Sequence, residues 1–276
     1  MAYAGYSCLK IRPERGVLFV TIDHPPINLF DLPLMQEIDR LGKEIEVDEN
    51  VRVVVFDSAN PDFFIAHADV GLILQFPSVA PPKADILGFF HAMVDRFRTM
   101  AKVSIAKIEG RARGGGSEFV LSLDMRFGAL GRASLSQPEV ALGIIPGGSG
   151  TQRLPRLMGR SRALEVVLGC DDFPADLAER YGYINRALPP DELGPFVEQL
   201  AYRIASFPPE AIALAKASVA CAELPTMEGL LEEAHYFDLA VATEAARKRM
   251  RKFLELGGQT PETELDLRPL ADRLAE

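Results

Sequence analysis

A chain of 276 residues, 48% hydrophobic and 25% charged, carries enough apolar content for a sizeable core and reads as one large domain or a domain with an appendage. Its net charge of −9 argues against sequence-independent binding of nucleic acid, and charges or prolines interrupt every apolar run before it reaches membrane-spanning length. Residues 1–10 lack the order of a signal peptide, and Cys8, Cys170 and Cys221 are too few and too scattered for a disulfide framework or a zinc site, so the chain reads as cytoplasmic.

Residues 16–22 are apolar and β-branched, a strand closed by His24-Pro25-Pro26. Asp31 stands where a helix cap is needed, and Met35, Ile38, Leu41 and Ile45 then recur at helical spacing. Residues 51–56 and 103–108 have the continuous apolar character of buried strands. Between them, 77–82 shows little pattern, and Ile86, Phe89, Phe90, Val94 and Phe97 mark an amphipathic helix. After Gly114-Gly115-Gly116 a helix opens at Ser117-Glu118 and is finished by 121–125, and 127–135 returns as strand. Such alternation implies a largely parallel sheet whose functional loops leave the strand ends.

After about Asp191 the strand signals stop. Leu200, Ile204 and Phe207 mark one helix, 212–221 a second, and Leu230, Ala234, Phe237 and Val241 a third. A fourth runs over about 243–256 and ends at Gly257-Gly258. The polar tail, 259–276, is expected to pack loosely. This divides the chain into an α/β core with the active site, 1–195, and a helical region, 196–276. The apolar stripe of the third helix follows a core that should already be complete, which points to self-association.

Two stretches carry chemistry. In Arg113-Gly114-Gly115-Gly116-Ser117-Glu118, consecutive residues without Cβ let backbone amides approach a ligand, a helix N-terminus adds positive potential, and a carboxylate follows within a turn. Ser136-Gln137-Pro138-Glu139 presents a second carboxylate from a loop, with Pro146-Gly147-Gly148 shortly after. Amide donors and two carboxylates suit the stabilisation of an oxyanion while a proton moves or a water is activated. Taken singly, Glu118 answers equally to the helix dipole and Glu139 to a solvated loop. His91 and His235 read as structural residues of amphipathic helices, and no His/Cys/Asp cluster has ligand spacing, so no metal is expected.

The run Ile108-Glu109-Gly110-Arg111-Ala112-Arg113-Gly114-Gly115-Gly116-Ser117-Glu118 resembles the signature of the crotonase superfamily, the enoyl-CoA hydratase/isomerase family. So do Ser136-Gln137-Pro138-Glu139, Gly143-Ile144-Ile145-Pro146-Gly147 and Gly150-Thr151-Gln152-Arg153-Leu154, and Phe64-Ile65-Ala66-His67-Ala68-Asp69-Val70 is similar to its first active-site loop. The resemblance spans roughly 17–188 in consistent order. It implies an α/β spiral of ββα units followed by a C-terminal helical oligomerisation region, a coenzyme A thioester substrate, and trimers or hexamers. No cofactor is bound permanently, since coenzyme A is part of the substrate; no nucleic acid or membrane is implied as a partner.

Residue by residue, Ala68 and Gly115 match the two N–H donors of the family's oxyanion hole. Glu118 and Glu139 match its two hydratase carboxylates, and Gly147 matches a backbone position that helps hold the water. Ala66, His67, Asp69, Val70 and Gly114 are the expected contacts to substrate or coenzyme A. The implied activity is hydration of a 2-enoyl-CoA; the alternatives are another crotonase-type enzyme (double-bond isomerase, thioester hydrolase or decarboxylase) and a CoA- or RNA-binding oligomer with little turnover. Three departures bear on the substrate. His67 stands where the family usually has glycine, Arg111 and Arg113 stand where small or apolar residues are usual, and 71–76 lacks a Lys-rich start. His67 is open to lining the acyl pocket, contacting coenzyme A or packing away; Arg113, to a structural salt bridge, a subunit contact or an anionic substrate.

Overall fold

The computed structural model describes residues 3–223, 226–267, 270, 273 and 274. Strands β1 (Leu9–Glu14) and β2 (Val17–Ile22) form an antiparallel hairpin through Arg15 and Gly16. Both turn residues have positive φ, 50° and 78°, as a two-residue hairpin turn requires. Helix α1 (Leu32–Val47) starts where the Asp31 carboxylate accepts from Leu34 N at 3.1 Å, and it buries Leu34, Met35, Ile38, Leu41 and Ile45. There follow β3 (Val53–Ser58), β4 (Phe63–Ile65), α2 (Val70–Ile73), α3 (Phe89–Thr99), β5 (Val103–Ile108), β6 (Arg111–Arg113), α4 (Gly115–Leu121), β7 (Met125–Ala129) and β8 (Ser134–Ser136). A 3-10 turn, Glu139–Leu142, leads to α5 (Gly150–Met158), α6 (Arg160–Gly169), β9 (Phe173–Pro174), α7 (Ala175–Tyr181) and β10 (Arg186–Leu188). The rest is helical: α8 (Pro190–Ala205), α9 (Pro209–Ala220), α10 (Thr226–Val241), α11 (Glu244–Glu255) and α12 (Pro261–Glu264).

The strands form two sheets, β1-β2-β3-β5-β7-β10 and β4-β6-β8-β9. Each of β3, β5 and β7 is followed within a few residues by a short strand of the other sheet, then by helix, so the chain coils through repeated ββα turns. Beyond the β1-β2 hairpin the larger sheet is parallel, and it is covered on both faces. Leu193, Val197, Ala201 and Ala205 of α8 close one face over Val53, Val55, Ile105 and Phe127. The other face meets the main core, which explains why β3 and β5 read as unbroken apolar runs.

At the centre of that core Phe119 meets Phe30, Phe56 and Phe97 edge-on, with ring centroids 5.9, 5.1 and 5.8 Å away. Phe119→Ala is expected to lower stability by about 3–5 kcal/mol, read as a shifted denaturant midpoint at unchanged slope.

Several sequence expectations are corrected here. The strand expected over 127–135 is two strands in different sheets, broken at Gly131 with φ 70°. The helix with Phe89 and Phe90 begins at Phe89, leaving Ile86 79% exposed before it. Described residues of the tail do not pack loosely: Glu264 is fully buried, and Leu270 and Leu274 are each 5% exposed. Nor is the stripe on α10 free, because Leu230 and Val241 are each 1% exposed and Phe237 packs against Gly147 of the same chain. Among the described residues α9 is the uncovered long helix; it buries none of its residues, and Leu214 and Val219 are each 71% exposed. No helix among the described residues is long and apolar enough to cross a membrane.

Candidate active site

Strands β4, β6 and β8 lie side by side and parallel, with Ile65 opposite Ala112 and Ala112 opposite Leu135. Their C-terminal ends therefore release three loops at one edge. The first carries Ala68, held as a bridge to Phe30: Phe30 N donates to His67 O at 2.9 Å and Asp69 N to Phe30 O at 3.2 Å. That pattern uses the His67 carbonyl and the Asp69 N–H and leaves the Ala68 N–H out of the ladder. The second loop is Gly114, at φ 48° and ψ −125°, whose N–H donates to Ser136 O at 3.0 Å before α4 starts at Gly115. A side chain is excluded there. A Cβ on Gly115 would stand 3.0 Å from Ala68 Cβ and 3.4 Å from Ala68 N, so the two loops touch backbone to backbone. Among the described residues no protein acceptor takes the N–H of Ala68 or Gly115.

The third loop delivers Glu139, 8% exposed, at the start of the 3-10 turn. Its Oε1 lies against the second loop, 2.8 Å from where a Cβ on Gly114 would be. With its amide oriented to satisfy both partners, Gln137 donates to the two Glu139 oxygens at 3.1 and 3.2 Å. Glu118, 4% exposed in the first turn of α4, accepts from Gly148 N at 2.7 Å and Gly150 N at 2.9 Å. Burial pushes Glu118 up to about 8, and the nearby carboxylate of Glu233 adds to the effect against those two amides. Glu139 is likewise lifted well above the ordinary carboxylate range, by burial first and then by Glu118. A pair that resists double ionisation holds one proton ready to give and one site ready to take.

The raised Glu118 value has a stability consequence. The folded protein keeps its proton up to about pH 8, whereas the unfolded chain releases it near 4.5, so the folded state binds more protons between those limits. Stability therefore falls as pH rises through that window. Glu118→Gln, neutral throughout, is expected to gain thermal stability relative to the parent at about pH 8.5 and to show little gain at about pH 5 in paired melts. An equal difference at both would contradict the buried-acid assignment.

Beside these loops lies a cavity of about 530 Å³, its mouth included. Val70, Ile73, Leu142, Ile144 and Phe253 wall it together with Leu267, Leu270 and Leu274 of the tail, and His67, Ala68, Gly115 and Glu139 form its polar end. His67 is committed by both nitrogens, Nδ1 lying 2.8 Å from Ala68 O and Nε2 2.9 Å from Glu264 Oε1. Burial disfavours the imidazolium, but the Glu264 carboxylate outweighs it and raises the His67 pKa. Arg113 donates to the backbone oxygen of Glu264 at 2.6 Å and through Nε to Asp172 at 2.7 Å, which makes it a structural clasp on the tail.

The remaining expected contacts are distributed unevenly. Val70 and Gly114 line the cavity, while Ala66 is fully buried with Ile27 and Phe63 and does not reach it. Asp69 caps α2 through Gly71 N at 2.8 Å and accepts from Gln259 Nε2 at 3.0 Å. Gly147 lies under the Phe237 ring, and a Cβ there would collide with it. Gly148 is as confined, between Glu118 and Phe90. Gly148, Gly150 and Phe90 were read in the sequence only as motif or helix residues, not as contacts of Glu118, and Glu233 was not singled out at all. The glycines belong to a visibly Gly-rich run, but nothing local marks Glu233, whose backbone partners lie 82 and 84 residues away.

Two unengaged backbone amides beside a buried carboxylate pair, set on ββα turns, have the make-up of a site that binds an oxyanion and moves a proton. Solved structures agree with the architecture. A crystal structure provisionally named an enoyl-CoA hydratase, from Streptomyces avermitilis, superposes with a TM-score of 0.88 at 40% identity, covering 98% of this chain and 99% of that one. The enoyl-CoA hydratase of Bacillus anthracis superposes at 0.70 with 26% identity over 91% of this chain and 97% of that one. In sequence, the short-chain-enoyl-CoA hydratase of Clostridium acetobutylicum is 33% identical over 247 residues, 89% of this chain and 94% of that protein. The crotonyl-CoA hydratase of Syntrophomonas wolfei is 31% identical over 91% of this chain and 96% of its own. The family model described as enoyl-CoA hydratase/isomerase matches residues 12–260, and the chain belongs to that family of enzymes, within the crotonase superfamily.

Proposed function

We propose that this enzyme hydrates 2-enoyl-CoA thioesters, adding water across the 2,3 double bond. The observation that carries the reading is the buried pair Glu118 and Glu139, both with raised proton affinity, beside two amides that no protein group engages. The names of the relatives in Clostridium and Syntrophomonas point the same way. In this reading the thioester oxygen accepts from Ala68 N–H and Gly115 N–H, which favours the enolate-like transition state by a few kcal/mol for each donor. Water sits between the two glutamates, with the Gly147 amide as a third contact. Glu118 orients it, and Glu139 is the principal acid/base. As the water oxygen bonds to C3, its proton passes to a carboxylate and C2 takes up a proton from the same pair. Coenzyme A enters and leaves as part of the thioester, and the chemistry needs no resident cofactor.

The test is loss of the enoyl-thioester absorbance when crotonyl-CoA and longer 2-enoyl-CoAs are added. Conversion of a 3-enoyl-CoA with no hydration of any 2-enoyl-CoA would replace the reading by an isomerase.

We also propose that the protein self-associates as a trimer or a hexamer of two trimers. The support is α9, whose Leu214 and Val219 stand open where the stripe on α10 is covered by its own chain. Sedimentation at micromolar concentration is expected to give a multiple of the 30.3 kDa chain. A single 30.3 kDa species would end that proposal.

A further inference from the structure

Four consecutive amides, those of residues 148 to 151, run between two buried carboxylates and donate to them alternately. Gly148 and Gly150 donate to Glu118 Oε1 at 2.7 and 2.9 Å. Ser149 donates to Glu233 Oε2 at 2.5 Å, and Thr151 to Glu233 Oε1 at 2.8 Å. The leading amides of α5 have no intrahelical acceptor, so an anion is favoured at this end of the helix. Here it meets two, one on each side. Glu233 reaches across from α10 and is 1% exposed; Thr151 Oγ1 donates to its Oε1 at 2.5 Å, and His91 Nε2 lies 3.1 Å from its Oε2. The backbone between the carboxylates is held where a free chain would rarely go, since Ser149 sits at φ 108°.

We propose that Glu233 is a positioning residue for Glu118: it anchors residues 148 to 151 so that their other two amides aim the Glu118 carboxyl, and its buried charge opposes full ionisation of the Glu118–Glu139 pair. The inference rests on the hydratase reading above, which it deepens. Glu118 faces Glu139 from the 3-10 turn, Glu233 from α10 and Arg153 from α5, with the Tyr183 phenol nearby. Glu233 in turn faces His91 from α3, and Arg153. Arg153 is engaged elsewhere, by Asp95 Oδ1 at 3.2 Å and Ser149 Oγ at 2.9 Å. Asp95 also pairs with Arg98 Nε at 2.7 Å, while Glu118 and Glu233 face Arg153 without a hydrogen bond to it, so Glu233 tips the field at Glu118 toward retaining a proton.

Two substitutions separate position from charge. Glu233→Gln removes the charge and keeps the size; Glu233→Asp keeps the charge and withdraws it by one methylene. Glu233→Gln is expected to lower kcat on crotonyl-CoA by about tenfold or more with KM within about twofold. Its basic pH–rate limb should move to lower pH by about one unit, because removal of a neighbouring negative charge lets Glu118 ionise earlier. Glu233→Asp should lower kcat while leaving that limb in place.

A lowered melting temperature with an unmoved limb in Glu233→Gln would mean a purely structural role and would overturn the inference. If Glu233→Gln does not fold, unchanged kcat in Glu233→Asp overturns it. A readout without turnover is the carboxylic-acid C=O infrared band that Glu118→Gln abolishes, followed against pH. If it titrates at lower pH in Glu233→Gln than in the parent, the inference holds even where no enoyl-CoA is hydrated, and only the hydratase reading fails. If it titrates at the same pH in both, Glu233 does not act on Glu118.

Discussion

Glu139→Gln and Glu118→Gln are each expected to lower turnover of the best enoyl-CoA by about a hundredfold or more, the usual loss when a positioned acid/base is removed. Each amide keeps the shape of the carboxyl, so the effect isolates proton transfer from packing. The two should fail differently. In Glu118→Gln an oxygen still has Gly148 N and Gly150 N to accept from, so water is held but poorly activated. In Glu139→Gln the new side chain keeps its contact with Gln137 but no longer takes the proton, so the chemical step itself should fail. Both proteins should show the parent circular dichroism. Near-parental turnover in both would mean that the chain does not hydrate enoyl thioesters by this route.

Gly115→Val is expected to reduce turnover by about a thousandfold, the scale of losing an oxyanion donor, while assembly is unaffected. A Cβ at this position already stands 3.0 Å from Ala68 Cβ, and the branched methyls of valine must occupy the space in front of the two free amides. The neighbouring position supplies the contrast. A Cβ on Gly116 would lie 2.5 Å from the backbone oxygen of Ile65, inside the sheet, so Gly116→Val should fail to fold rather than fold without activity. A ligand-bound structure in which the Ala68 and Gly115 N–H vectors diverge would remove the basis for the first prediction.

What was legible in the sequence divides along physical lines. β2, β3 and β5 were readable because strands buried on both faces need uninterrupted apolar residues. β4, β6 and β8, at three residues each, are too short to show a period, yet they place Ala68, Gly115 and Glu139. Gly115 and Glu139 stood out nonetheless, because close backbone approach demands glycine and proton transfer demands a carboxylate, and both demands are local; Ala68 carries no such mark and was named only through the family resemblance. The stripe on α10 shows the limit of periodicity: it marks a face that is covered but not what covers it, and here the cover is Gly147 and the chain's own core. His67, the anomaly in the first loop, proved to be one end of a tie to Glu264, a partner 197 residues away.

That tie brings Leu267, Leu270 and Leu274 of the tail into the wall of the cavity beside Glu139. Leu270, Leu274, Phe253 and Val241 form an apolar cluster of their own with Val70, Leu142 and Ile144, separate from the cluster around Phe119. The amides and carboxylates follow β4, β6 and β8, and the cavity wall is shared between residues 70–73 and 142–144 beside them and Phe253, Leu267, Leu270 and Leu274 from the far end of the chain. The two meet at Glu264, which His67 and Arg113 both engage, so substitutions there should couple to the first and second loops. Resizing Leu267, Leu270 or Leu274 would therefore reshape the cavity without touching either glutamate, through a segment that His67 and Arg113 hold in place.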